Sequence, residues 1–387
     1  MRQVVVVSAA RTPIGSFQGA LASLTAPKLG AIAMKEALAR AHVAGADVSE
    51  VVFGEVLTAG VGQAPARQAA LAAGMPTSIP CTTINKVCGS GLKAIMLARQ
   101  AIALGEAEIV VAGGQESMTN APYLLPTARA GMRMGNQTAV DSMITDGLWD
   151  PYGNAHMGSF GDLCARENDF SREAQDAFAK QSYERALAAQ KAGNFASEIV
   201  GVDVGGKIVD VDEEPSKYKP EKMPVLKPAF GKDGTVTAAN ASKLNDGAAA
   251  VVLMSADEAK KRGLTPLATL VADGTHAKDP SQFTTAPAGA IEKALKKAGV
   301  NVGDVDVYEI NEAFAVVAMV TMKQLGIPAD KVNLWGGAVS LGHPIGASGA
   351  RLFITMLSQL HKLGRNTGVT SLCIGGGEAV AVLAKRG

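Results

Sequence analysis

Apolar residues along this chain fall in short runs that alternate with longer, Ala-rich stretches of helical spacing. Val4–Ser8 opens the pattern; a turn at Thr12-Pro13-Ile14-Gly15 follows, then a helical stretch from Pro27 to about His42. Val51–Gly54 and Ile109–Gly113 have the same strand character, the second ending in Gly113-Gly114. In the last third, Val305–Ile310, Lys331–Leu334 and Thr370–Ile374 repeat it. Buried strands interleaved with helices predict an α/β architecture in which helices cover the sheets.

The pattern also repeats on a larger scale. Cys88-Gly-Ser-Gly-Leu-Lys93 opens a helix that leads to the strand at Ile109 and then to Gly113-Gly114. Gly346-Ala-Ser-Gly-Ala-Arg351 opens another, leading to Ser371–Ile374 and Gly375-Gly376-Gly377. This predicts a duplicated α/β unit with the functional ends of both halves at strand C-termini. Between the halves the chain is richer in proline and irregular, with one clear helix capped by Ser171 and ended by Gly193. The expected division is residues 1–117 with 245–266 as one half and 267–387 as the other. Residues 118–244 are expected to form a loop domain over the active face.

Composition narrows the function classes. Hydrophobic residues make up 47% and charged residues 19% of the 387-residue chain, and the net charge is +1. That gives no electrostatic case for nucleic acid. The 43 glycines exceed an average share near ~7% and predict many tight turns and close backbone approaches. Apolar runs are broken before the roughly 20 residues a membrane helix needs, so no membrane association is expected. The N-terminus reads as a buried strand rather than a signal peptide, and no peroxisomal tripeptide ends the chain. The four cysteines form no Cys-x-x-Cys pair, which argues against zinc or a disulfide framework. A cytoplasmic enzyme is expected.

The candidate chemistry lies in glycine-rich segments. In Asn85-Lys86-Val87-Cys88-Gly89-Ser90-Gly91 a cysteine stands where a strand-like segment turns into a helix, a setting that favours thiolate. Asn311-Glu312-Ala313-Phe314, Gly342-His343-Pro344-Ile345-Gly346 and Cys373–Gly377 carry further reactive side chains near predicted strands. A thiolate, an imidazole base and backbone N–H donors make a workable acyl-transfer site. Two thiols beside one histidine suit acyl transfer coupled to proton abstraction at carbon. Each piece also has a structural reading: Cys88 and Cys373 as buried filler, His343 as part of a turn, Asn311 as a helix cap. Cys81 and Cys164 lack such surroundings and are read as structural.

Taken together, these segments resemble the thiolase family over essentially the full length. The matching stretches are Ser8–Gly15, Asn85–Gly91, Ala112–Ser117, Ala239–Ser242, Asn245–Ala248, Asn311–Phe314, Gly342–Gly349 and Cys373–Gly377. The resemblance implies a layered α-β-α-β-α arrangement with an inserted loop domain. It also implies roles. Cys88 would carry the acyl group as a thioester, with His343 taking its proton. Cys373 would be the acid/base at carbon. His343 and an Asn311-held water would form one oxyanion hole, and the N–H groups of Cys88 and Gly375 the other. Coenzyme A is implied as substrate and product, with no tightly held cofactor. Ser242 would contact its pantetheine arm, and His156, Met157 and Phe314 its reactive end. Lys227 and Lys232 are candidates for its phosphates.

His156-Met157-Gly158, Gly234–Ala239, Gly337–Gly342 and the acidic run Val209–Glu214 are similar to the short-chain branch, which interconverts two acetyl-CoA with acetoacetyl-CoA and CoA. The alternative is a broader 3-ketoacyl-CoA thiolase of fatty-acid β-oxidation. Cys373 argues against a decarboxylating condensing enzyme, and the full set Cys88, His343 and Cys373 against a non-catalytic lipid carrier. The family is dimeric or tetrameric, so a homodimer or homotetramer is expected, with Ser117–Pro126 at the tetramer contact. In the mitochondrial-type branch potassium binds at positions matching Tyr183 and the carbonyls of Ala238, Ala239, Ala241 and Val339. Phe160, Lys243, Trp335 and Glu378 depart from the family pattern, and Lys243, directly after Ser242, suits an anionic group of CoA.

Overall fold

The computed structural model describes residues Met1–Gly387. A ten-stranded sheet runs through both halves. Its N-terminal strands are β1 (Val4–Arg11), β2 (Glu50–Gly54), β3 (Cys81–Ile84), β4 (Ile109–Ser117) and β5 (Asn245–Ser255). The C-terminal strands are β6 (Ala268–Ala277), β7 (Val307–Ile310), β8 (Thr367–Ile374) and β9 (Glu378–Arg386). The short strand Gly15–Ser16 adds to β5.

The two halves share one topology. In the first, β1 pairs antiparallel with β5, β5 antiparallel with β4, and β4 parallel with β2, which is parallel to β3. In the second, β6 pairs antiparallel with β9, β9 antiparallel with β8, and β8 parallel with β7. The place of β3 is taken by a single parallel bridge, Tyr308 to Val332. The strand expected at Lys331–Leu334 shrinks to this bridge because Asn333 turns into the left-handed region at φ +48°. The halves meet where Val5 and Val6 of β1 pair with Thr269 and Ala268 of β6.

Helices make the other layers. α1 (Ala26–Arg40), α2 (Pro65–Ala72) and the short α6 (Ala256–Lys261) pack on the outer face of the first half, and α7 (Ala286–Ala298) and α8 (Ala315–Leu325) on that of the second. α3 (Ser90–Leu104) and α10 (Ile345–Lys362) lie between the halves, in one core with strands from both. This is the layered α-β-α-β-α arrangement. Val87–Leu104, which includes α3, reaches a mean hydropathy of 1.3 over 18 residues. Its apolar character answers to burial on both sides within this central layer.

Residues 118–244 contribute no strand to the large sheet and hold two helices, α4 (Met157–Glu167) and α5 (Arg172–Lys191). The sequence pattern revealed only α5, whose cap Ser171 accepts from Ala174 N as expected. α4 is capped by His156, whose Nδ1 accepts from Gly158 N at 3.1 Å, a cap that composition does not advertise. Arg11 ties this segment to the core. It is fully buried and bonds Glu198 and Asp212, each at 2.7 Å.

The central helices approach at backbone distance. A Cβ on Gly349 would stand 2.4 Å from Leu92 N, and one on Gly91 2.9 Å from Ala350 N. Gly349→Ala therefore lowers stability by about 1–3 kcal/mol through overpacking, measured by urea denaturation. Gly303→Ala, whose Cβ meets nothing within 4 Å, changes stability by no more than about 0.5 kcal/mol.

Candidate active site

The turn between β3 and α3 presents Cys88. Asn85 Oδ1 accepts from Val87 N at 2.9 Å, and Ser90 Oγ accepts from Lys86 N at 2.8 Å while donating to Val87 O at 2.7 Å. These bonds hold Val87 at φ +46°, a costly conformation for a β-branched residue that persists only when its surroundings enforce it. Gly89 follows, where a Cβ would lie 2.4 Å from Ile374 Cδ1. The turn thus rests against the end of β8 and sets Cys88 beside the Cys373 segment.

The backbone N–H groups of Cys88 and Gly375 favour the Cys88 thiolate. Burial nevertheless pushes its thiol up to about 11, and Glu116 adds to the rise against those two N–H groups. The strand-to-helix setting predicts easy thiolate formation; in the folded protein desolvation outweighs it. A base is therefore required, and His343 stands at the same pocket.

His343 is held on three sides. Its N–H donates to Asn245 Oδ1 at 2.9 Å, Nδ1 lies 2.6 Å from Ser348 Oγ, and Nε2 lies 3.3 Å from Asn311 Nδ2. Ser348 Oγ donates its one proton to Pro344 O at 2.8 Å, so it can only accept from Nδ1–H. That bond selects the tautomer with the lone pair on Nε2, where it accepts from the Asn311 amide in the absence of substrate. Burial, and then the positive charge of Arg351, lower the imidazole to about 3, so it stays neutral at ordinary pH. Asn311 extends β7, its N–H donating to Ser371 O at 3.0 Å. Its Oδ1 is buried without a protein partner and is free to accept from a water. The helix that follows is capped by Phe314 and not by Asn311. Cys373 is buried at the end of β8, its thiol raised by burial and by the charge of neighbouring Cys88.

Cys88, His343 and Gly375 line one small cavity of ≈ 50 Å³, walled by Met157, Phe283 and Phe314. His156, Ser242 and Phe314 line it too and also border a ≈ 320 Å³ cavity beside it. Phe230 forms much of the wider wall, stacking on His156 at 4.6 Å and meeting Phe314 edge-on at 5.9 Å. Phe230 has no signal in the sequence beyond being aromatic. Lys227 is exposed and lines neither cavity; Lys232, with Arg166, borders a separate ≈ 540 Å³ groove. Proximity in sequence to Phe230 does not carry Lys227 to the pocket.

The four departures from the family pattern each find a place. Phe160 packs beneath the small cavity, edge-on to Phe283 at 6.4 Å. Trp335 fills a core with Phe195, Ile14 and Leu341. Glu378 pairs with Lys86 and so links the Cys88 turn to the start of β9. Lys243 bears on the potassium expectation. Tyr183, Ala239 and Val339 do share a small core, and Ala238 and Ala241 line the adjacent cavity. Yet the Lys243 ammonium donates to the carbonyls of both Ala241, at 2.6 Å, and Val339, at 3.2 Å. The residues present do not fit a potassium ion, because a side-chain cation already holds two of its oxygens.

The low affinity of buried His343 for a proton has a consequence for stability. The unfolded imidazole titrates near 6.5 and the folded one near about 3. Between those values the unfolded state binds the extra proton, so stability is lost as pH falls from 6.5 towards 3. His343→Asn removes this titration. Urea midpoints of wild type and variant, compared across the window, should move in the variant's favour as pH falls; a constant difference contradicts the assignment.

Residues 4–257 match the family described as "Thiolase, N-terminal domain" and residues 264–386 that described as "Thiolase, C-terminal domain". The chain is 54% identical to Acetyl-CoA acetyltransferase 2 of Arabidopsis thaliana, over 99% of this chain and 96% of that one. It is 52% identical to the Acetyl-CoA acetyltransferase of Cupriavidus necator, over the full length of both. With that of Schizosaccharomyces pombe it shares 50% identity over 99% of each. Matched in both halves and along its whole length, the chain belongs to the thiolase family.

Proposed function

We propose that this protein interconverts two acetyl-CoA with acetoacetyl-CoA and free CoA through an acetyl group carried on Cys88. The observation that carries this reading is the shared cavity. A nucleophile, a neutral imidazole and two N–H donors surround ≈ 50 Å³ beside a wider cavity of ≈ 320 Å³. The names of the relatives support the same substrates.

In thiolysis, His343 Nε2 takes the Cys88 proton as the sulfur attacks the keto carbon. The N–H groups of Cys88 and Gly375 stabilise the tetrahedral oxyanion. The carbon–carbon bond then breaks, leaving the acetyl group on Cys88 and the electron pair on the departing enolate. His343 and a water held by Asn311 hydrogen-bond the enolate oxygen, and Cys373 delivers its proton to the carbon. CoA, deprotonated by Cys373, attacks the thioester, and the Cys88 thiolate it releases takes back the proton held on His343. Condensation runs the same steps in reverse. A thiol is a weak carbon base, so most of the acidification at carbon rests on enolate stabilisation. CoA enters as substrate and leaves as product. Ser242, His156 and Phe314, which border both cavities, are placed for its pantetheine arm, with Met157 at the acyl end.

A cavity of ≈ 50 Å³ holds only a few heavy atoms, since about 10–15 Å³ on this measure takes one water. That favours the acetyl group over the longer chains of β-oxidation. We also propose a homodimer or homotetramer. Edge strand β3 leaves one side unpaired, a template for a second copy. Tyr123, Leu125, Met134, Trp149 and Tyr152 expose apolar surface in the inserted segment, as a further contact would use. Four free cysteines, two of them needed as thiols, suit a reducing cytoplasm.

Two experiments test this reading. Thiolysis of 3-ketoacyl-CoAs of increasing length should favour acetoacetyl-CoA, with kcat/KM falling about tenfold or more once the chain outgrows the pocket. Higher activity on long chains overturns the acetyl assignment. Cys88→Ala should abolish the acyl-enzyme seen by mass spectrometry. Cys373→Ala should retain acylation by acetyl-CoA while condensation drops at least about a hundredfold; normal condensation removes Cys373 from its role.

A further inference from the structure

The Lys243 side chain runs inward from the loop that carries Ser242. Its ammonium donates to Ala241 O on its own loop and to Val339 O on α9 (Ala338–Leu341), at 2.6 and 3.2 Å. It also lies 5.7 Å from the centroid of the Tyr183 ring, within range of a cation–π contact. Tyr183 is stacked on Tyr218 at 4.7 Å. The carboxylates of Glu214 and Glu312 act on the ammonium from further away. Two carbonyls, an aromatic face and surrounding negative charge describe a cation site, and the cation is covalently part of the chain.

What this site joins gives it a function. Ser242 lines both cavities, and Val339 stands on the short helix that leads into His343. Asn245, two residues beyond Lys243, accepts the His343 N–H at 2.9 Å. A cation between Ala241 and Val339 therefore fixes the CoA-contacting loop against the element that carries the base. Loss of solvent lowers the ammonium to about 8, and Glu214 and Glu312 counter that fall, so it remains charged at neutral pH.

We infer that Lys243 is a tethered monovalent cation. It takes the place that potassium holds in potassium-binding relatives and positions the loop and helix that receive the acyl-CoA. Potassium and an ammonium group have similar size and the same charge, and both are satisfied by carbonyl oxygens. They cannot share one site. Lys243 is a positioning residue: it borders the ≈ 320 Å³ cavity but not the small cavity that holds Cys88 and Gly375. The inference rests on the thiolase reading of the pocket, but the cation site itself can be read without the reaction.

The test compares wild type with Lys243→Ala in potassium chloride and in choline chloride of equal ionic strength, by thermal melting and by thiolysis of acetoacetyl-CoA. Wild type should melt at the same temperature in both salts, with KM differing less than about twofold. Lys243→Ala in choline chloride should show KM raised about tenfold, with a smaller change in kcat. Potassium should raise its melting temperature and recover most of the KM. Potassium-dependent melting of the wild type overturns the inference, and so does a Lys243→Ala protein indifferent to potassium in both measurements. Lys243→Ser is a second variant should the alanine protein fail to fold, and wild-type melting decides the point even if both fail. If thiolysis is absent altogether, the melts still report the cation site, so failure of the activity and failure of this inference are separable.

Discussion

Close approach of two helix backbones sets the geometry on which the site depends. α3 begins two residues after Cys88, and α10 begins two residues after His343. Gly91, Gly346 and Gly349 bring these starts together, and Gly114 of β4 completes the contact, its Cβ position lying 2.1 Å from Gly346 O. A side chain at any of them would push the helices apart and move the nucleophile away from its base. The pull comes from the apolar core shared by both halves around α3 and α10; glycine decides how near it can bring them. Duplication supplies the rest. Equivalent strands β4 and β8 end near this crossing, so Glu116 from one half and Cys373 from the other both interact with the Cys88 thiol.

The strands, the central helices and the duplicated unit were legible because burial on both faces leaves continuous apolar runs and glycine marks each close approach. Cys88, His343 and Cys373 were legible because glycines flank each of them, and Asn311 because it directly follows a predicted strand. Their partners were not. Asn245 and Ser348 lie in quoted motifs, but nothing in a linear pattern shows that Asn245 Oδ1 meets the His343 amide across 98 residues. Lys86 and Glu378 are 292 residues apart, and charge alone could not pair them. The strand expected at Lys331–Leu334 failed for a related reason. Its apolar content was real, but Asn333 leaves the extended conformation, and its side chain bonds the backbone of Ile310 instead.

Lys243 illustrates how one departure from a pattern can be read in two ways. From sequence, a lysine after Ser242 suggests attraction for the anionic groups of CoA. In the fold the ammonium turns the other way, into carbonyls and an aromatic face. A surface lysine serves a mobile anion at little cost, whereas a half-buried one must replace its water with fixed oxygens. Once those oxygens are supplied, the lysine is also held, and the segments carrying them are joined.

The electrostatics of the pocket favour neutrality until substrate arrives. Burial holds the Cys88 thiol protonated and the His343 imidazole unprotonated, so a resting thiolate–imidazolium pair is disfavoured from both sides. Glu116 adds to this only when ionised: burial, with Glu55 nearby, raises its own carboxyl to about 8, so its opposition to the thiolate grows as pH rises through that value. Arg351 on α10 helps to keep His343 neutral, and the neutral imidazole is the form that can accept the thiol proton. In the proposed reaction, charge separation then waits for an acyl carbonyl that can take the developing negative charge to the Cys88 and Gly375 N–H groups. A nucleophile that ionises only in the presence of its electrophile would be guarded against side reactions, and burial is the largest cause of that guard.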